Sequence, residues 1–389
     1  MVPVNECLSR FAFGGLCGYD AAMTDPTPKP GILDIELYVG GRSAAPGADK
    51  VYKLSANESP LGPSPAAVAA LAAAARDLQM YPDGNSRVLR EAIGKAEGLD
   101  PARIVVGGEG SGPLLTMLAN AYLMPCDEAI FSRHAFLIYE IATRANGARP
   151  VIVDEKTTNS GIRIDVEAML AAVTDKTRIV YLANPNNPTG SYLTRDEMVR
   201  LHAGLPGNVL LVIDAAYGEF VDAPDYDMGL DLARAHANVV VTRTFSKIHG
   251  LAALRLGWAF VPQGVADVLN RIRGPFPTSP LQQQAGAAAI ADAAHVARAA
   301  AHNAQWRTWL TDAIRALGLK VDDSAANFVL VHFPPGAKDA KAADAFLIAR
   351  GVILRGVGAY GLPDALRLTV GTEEANRAAV AALKAFVTQ

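Results

Sequence analysis

The chain has 389 residues, half of them hydrophobic and 19% charged, with a formal net charge of -3. That length suits two or three domains with a sizeable core, and the balance excludes a disordered chain and disfavours nucleic acid or an anionic membrane as main partner. The longest purely aliphatic run, Val209 to Ile213, falls far short of the ~20 residues that cross a bilayer, so a soluble globular protein is expected.

The first residues carry an apolar patch, Phe11 to Gly18, behind a single Arg10, which makes a poor signal peptide. Met23 then opens a polar, proline-rich arm, and residues 1–22 read as an extension outside the fold. Cys7, Cys17 and Cys126 are odd in number, widely spaced and without a CxxC. They argue against a disulfide framework or a zinc site and for a reducing cytoplasm. The histidines show no metal-ligand spacing, so no metal site is expected.

PAAVAALAAAARDL (65–78) is helix-like and could pack with either part of the chain. From residue 76 to 262, short apolar strands then alternate with helical patterns. The predicted strands are 103–108, 129–134, 149–154, 177–185, 208–217, 238–247 and 256–262. Between most of them lie segments such as 112–123 and 136–147, with apolar residues at i, i+3, i+4 and i+7. Continuous Val/Ile runs suit strands buried on both faces, and the alternation implies an α/β fold around a mostly parallel sheet. Beyond residue 276 come alanine-rich helix (281–316), strand 327–334, helix 339–350, strands 352–355 and 365–371, and a last helix over 373–386. That pattern predicts a smaller α/β unit. The expected organisation is an N-terminal extension and arm (1–45), a segment associated with the small domain (46–75), a large domain (76–275) and a small C-terminal domain (276–389).

Ligands bind outside the carboxyl ends of the strands in such sheets. Gly110, Ser111 and Gly112 follow one strand and open a helix, a turn whose free N–H groups suit an anion. NPNNPTG (184–190) follows another and is a loop by default. Asp214 ends a third, either as a cap or as a desolvated carboxylate beside a cationic partner, with Tyr217 at the same mouth. Lys247 ends a fourth, either as a solvated surface lysine or as a partly buried one with a lowered pKa, next to Thr244, Ser246 and Arg255. Their conjunction on one face suits a phosphorylated, protonated heteroaromatic carbonyl compound.

These features, with LSANESPLGPSP (54–65), YPDG (81–84), DAAYGEF (214–220), TRTFSKIHGLAALRLGW (242–258) and LRLTVGT (366–372), resemble the histidinol-phosphate aminotransferase family of pyridoxal-phosphate enzymes. The resemblance covers essentially the whole chain from residue 31. It implies fold type I, with a large domain built on a seven-stranded, mostly parallel sheet. It implies that Lys247 forms the Schiff base and shuttles the proton, that Asp214 pairs with the pyridinium nitrogen, and that Tyr217 and Asn187 hydrogen-bond the ring oxygen. Phe136 would stack on the ring. Gly110, Ser111, Gly112, Thr244, Ser246 and Arg255 would hold the phosphate, with Tyr81 reaching the phosphate of a neighbouring subunit in a homodimer. Arg367 would grip the substrate's carboxylate or phosphate, with Arg355, Tyr38 and Asn57 on the substrate side.

The activity so implied is transfer of an amino group between histidinol phosphate and 2-oxoglutarate in cytoplasmic histidine biosynthesis. An aromatic-amino-acid aminotransferase and a threonine-phosphate decarboxylase-like enzyme are the alternatives. The chain departs from the family pattern at Gly112-Pro113, at LYVGGR (37–42) and at Pro277.

Overall fold

The computed structural model describes residues 27–29, 31–37 and 40–389; the extension 1–22 and Tyr38 lie outside them. The seven predicted runs of the first half form one sheet. Its order is Ile104–Gly107, Gly257–Phe260, Val239–Thr244, Leu210–Asp214, Thr177–Ala183, Glu128–Ser132, Arg149–Val153. Within it only Gly257–Phe260 runs antiparallel to its neighbours.

The central strands are buried on both faces, which is why they read as unbroken aliphatic runs. Leu211, Ile213 and Val241 face one apolar layer with Met198 and Leu201. Val212 and Val240 face the other, with Leu114, Leu118 and Leu269. Each such side chain, with no exposed surface, contributes roughly 1.5–3 kcal/mol of transfer free energy. This makes a stiff platform from which the strand ends project.

A second sheet, antiparallel throughout, has the order Lys320–Val321, Phe328–His332, Leu362–Thr369, Arg355–Val357. Leu310, Leu347 and Leu383, from helices Ala293–Arg315, Ala340–Ile348 and Glu373–Val387, pack on it. Tyr52–Lys53 pairs in parallel with Val352–Ile353 and so leads the following residues, 54–58, across the gap between the two sheets.

The packing corrects the expected grouping at two helices. Pro65–Ala74, assigned with the small domain, and Pro280–Ala291, assigned to it, both join the core of the large sheet through Ala67, Ala289 and Ile290. The cause is small-residue packing: a Cβ on Gly286 would come within 2.5 Å of Leu256 Cδ2, so that helix approaches closer than a larger surface allows. Helix Arg87–Glu97, not among the predicted elements, completes this layer with Leu89 and Ile93. Among the described residues no helix is long and apolar enough to cross a membrane.

Candidate active site

Four parallel-strand ends, after Gly107, Ala183, Asp214 and Thr244, converge on a cavity of about 280 Å³. Segment 55–57, the small-sheet residues Arg355 and Arg367, and Tyr360 in the turn between their strands close it.

One end is an anion cradle. Gly110 has φ 93°, and a Cβ there would sit 2.9 Å from Arg255 Nη2, so only glycine lets the arginine lie against the turn. Ser111 opens helix Gly112–Tyr122 without capping it through its side chain. The first-turn N–H groups are thus left for a ligand. Arg255 donates to Glu109 O at 2.8 Å and to Ser246 Oγ at 3.4 Å. Gln282 fixes the other side of the turn by donating to Gly108 O at 2.6 Å and to Arg255 O at 3.0 Å.

Lys247 Nζ donates to Ala56 O at 3.2 Å. Burial, then the charges of Arg367 and Arg255, lower its pKa from 10.5 to about 7, against an opposing pull from Glu58. The turn carrying it rises from Arg243, whose buried guanidinium donates to Glu219 at 2.7 Å and to Glu97 at 3.4 Å. Glu219 follows Tyr217 by two residues, so this ion pair ties the lysine turn to the tyrosine loop.

Asp214 is 5% exposed. Burial pushes its carboxyl pKa up, and hydrogen bonds from Tyr139, Thr242 and the Ala216 N–H oppose that shift. Tyr217 OH accepts from Asn57 Nδ2 at 2.9 Å, and burial drives the phenol up to about 12. Asn57 itself has φ 55°, a left-handed conformation that asparagine adopts more readily than most residues. Thr369 Oγ1 bonds both its N–H, at 3.0 Å, and its Oδ1, at 3.1 Å.

Arg367, 5% exposed, donates to Asn187 Oδ1 and, at 2.9 Å, to Ser55 O. Its direct cross-strand partner is Arg355. Lys247, Arg255, Arg355 and Arg367 thus line a cavity whose one acidic side chain among the described residues is Asp214. Its field favours ligands with several negative charges.

Gly110, Ser111, Gly112, Phe136, Asn187, Asp214, Tyr217, Thr244, Ser246, Lys247, Arg255, Asn57, Arg355 and Arg367 all line this cavity. Tyr81 does not: it is 83% exposed and stacks on Phe276 at 4.7 Å. Sequence reasoning passed over Ser55, Ala56 and Tyr360, which also line the cavity, and over Tyr139 and Thr242, which hold Asp214.

Fold and site are those of an aminotransferase: the profile of aminotransferase class I and II matches residues 49–383. A histidinol-phosphate aminotransferase of Rhodopseudomonas palustris is 56% identical over 370 residues, covering 94% of this chain and 100% of that protein. One of Nitrobacter hamburgensis is 55% identical over 369 residues, with the same coverage. The crystal structure of the histidinol-phosphate aminotransferase of Sinorhizobium meliloti, in complex with pyridoxal-5'-phosphate, superposes with a TM-score of 0.83 at 29% identity. It covers 95% of this chain and 99% of that one. The chain belongs to the histidinol-phosphate aminotransferase family of the class I and II aminotransferases.

The donor set fits that family's cofactor, pyridoxal phosphate. It offers a desolvated amine, a buried carboxylate, a phenol beside an amide, an aromatic face and an anion cradle in one cavity.

Proposed function

We propose that the chain transfers the amino group of L-histidinol phosphate to 2-oxoglutarate, giving imidazole acetol phosphate and glutamate, in histidine biosynthesis. The observation that carries this reading is the cross-strand pair Arg355–Arg367, both members lining the cavity. Like charges directly opposite on a sheet repel, and an anion bound between them offsets that repulsion. A phosphate monoester, with roughly -1.5 to -2 of charge, satisfies two guanidinium groups better than a single carboxylate does.

In this reading Gly110, Ser111, Gly112, Thr244, Ser246 and Arg255 hold the cofactor's phosphate, and Phe136 covers one ring face. Tyr217 and Asn187 reach its ring oxygen. Pyridoxal phosphate, when bound, supplies an electron sink for the charge left by loss of the substrate's Cα proton. Lys247 would hold the cofactor covalently at rest and, once displaced by the substrate's amine, would as a neutral amine take that proton and return it. Asp214 keeps the ring nitrogen charged. Arg367, Arg355, Asn57 and Tyr38 hold the substrate.

The test follows the visible absorbance of the purified, pyridoxal-phosphate-loaded protein. Histidinol phosphate is expected to bleach it, and 2-oxoglutarate to restore it. A stronger response to phenylalanine would move the chain to aromatic amino acids. Carbon dioxide release without keto-acid consumption would make it a decarboxylase.

We further propose a homodimer in which Tyr81 reaches the partner's cofactor phosphate. Exposed Leu78, Met80, Tyr81, Ile272 and Phe276 support an apolar interface there. Sedimentation is expected to give a single species of twice the chain's mass; a monomer would remove Tyr81 from the site. The cytoplasm is the proposed location, since both substrates are anions that do not cross a bilayer unaided, and cell fractionation checks it.

A further inference from the structure

Asp214 owes its setting to a residue outside the cavity. Tyr139, wholly buried in helix Ile138–Ala145, donates its O–H to Asp214 Oδ2 at 3.0 Å. Thr242 Oγ1 donates to the other oxygen at 3.1 Å. The Tyr139 ring lies flat on Tyr181, 4.7 Å between centroids and 3° between planes. It also meets Phe136 edge-on at 6.1 Å and 84°, and Phe131 at a tilt at 6.1 Å and 58°.

A phenol clamped face to face cannot swing its hydroxyl sideways, because the oxygen lies on the ring's own axis. The hydrogen bond to Asp214 is therefore set by core packing rather than by a mobile side chain. Nor can the phenol lose its proton, since burial and the neighbouring Asp214 carboxylate hold its pKa well above 10. It is a permanent donor. A buried carboxylate deprived of donors tends to neutralise, and a neutral Asp214 could not hold a ring nitrogen in its charged form.

We infer that Tyr139 is a positioning residue for the reaction: it fixes the plane of the Asp214 carboxylate and the tilt of Phe136. The nitrogen and one face of the cofactor ring thereby meet groups aligned by one side chain. This rests on the reading that Asp214 faces the ring nitrogen and Phe136 the ring face. The bland alternative is a core tyrosine that found the nearest acceptor. The two differ in what Asp214 does once the O–H is gone.

The test is a double-mutant cycle on the full chain: parent, Tyr139→Phe, Asp214→Asn and the double variant. Tyr139→Phe keeps the stack and the edge contact and removes only the oxygen. Pyridoxal phosphate is titrated into each apo-protein by its visible absorbance, and kcat and KM for histidinol phosphate are measured on each loaded form. In Tyr139→Phe, pyridoxal phosphate affinity and kcat are each expected to fall about tenfold, the size of a hydrogen bond to a charged group, with KM within about twofold. On the Asp214→Asn background the same change is expected to have no further effect. An unaltered affinity and kcat in Tyr139→Phe, or equal losses on both backgrounds, would overturn the inference alone. Failure of the parent to take up pyridoxal phosphate would instead overturn the reading beneath it. Should Tyr139→Phe not fold, Thr242→Val removes the donor on the other oxygen and runs through the same cycle. There, equal losses on both backgrounds would again count against donor control of Asp214.

Discussion

Lys247→Ala is expected to lower turnover of histidinol phosphate by about 10⁴-fold or more, the upper range for one positioned proton-transfer group, while the chain stays folded. The lysine's lowered pKa, about 7, makes a large fraction of it a neutral amine near neutral pH. Among the described residues, no other group lining the cavity can replace it. Tyr217 is pushed up to about 12, Asp214 is committed to its own donors, and the remaining charged side chains lining it are arginines. Single-turnover absorbance with histidinol phosphate reads the loss, and a parental rate would refute the role.

The same residue carries a stability signature with a definite sign. In the folded apo-protein Lys247 gives up its proton near pH 7, whereas the unfolded chain keeps it to about 10.5. Between those values the unfolded state binds more protons, so stability rises with pH. At and below pH 7 the burial cost of the charged amine is fully present. Lys247→Met is therefore expected to be more stable than the parent apo-protein at pH 7, with the difference closing toward pH 10. Urea unfolding of both apo-proteins at the two pH values measures it. A difference that does not shrink would show that Lys247 is not a depressed amine.

Asp214 was legible in the sequence for a physical reason: it ends a run of aliphatic residues buried on both faces, where a charge is costly and conspicuous, and Lys247 stood out three residues beyond the buried strand Val239–Thr244. The same burial made the inner strands of the large sheet visible, whereas the edge strand Arg149–Val153 is largely exposed or half-buried. Tyr139 and Thr242 were not legible, because each lies within a buried element and reads as core until the chain is folded around Asp214. Ala56 acts through its carbonyl, which leaves no trace in side-chain chemistry. The helices Pro65–Ala74 and Pro280–Ala291 consist largely of alanine and other small residues. Without a marked apolar stripe their partners cannot be read from periodicity. Arg355 and Arg367 are twelve residues apart, and only the register of their strands makes them neighbours.

That register bears on the second large effect. Arg367→Ala is expected to cut kcat/KM by about 10²–10³-fold for histidinol phosphate and for 2-oxoglutarate alike, in the range for truncating one partner of a buried charge pair. Arg367 is almost wholly buried, and bonds to Asn187 and to the Ser55 carbonyl hold its guanidinium at the cavity wall. Its position is fixed before any substrate arrives, so an anion gains attraction there without ordering a flexible side chain. Both substrates present an anion, so both lose this contact when the arginine goes. Arg355 lies opposite on the neighbouring strand and adds a second positive charge. That charge matters most to the substrate with the greater negative charge. Arg355→Gln is accordingly expected to weaken histidinol phosphate more than 2-oxoglutarate, whereas Arg367→Ala weakens the two about equally. Steady-state kinetics with each substrate varied separates these patterns. If Arg367→Ala impaired only the keto acid, the two substrates would not share an anion site, and the phosphate would have to be held elsewhere.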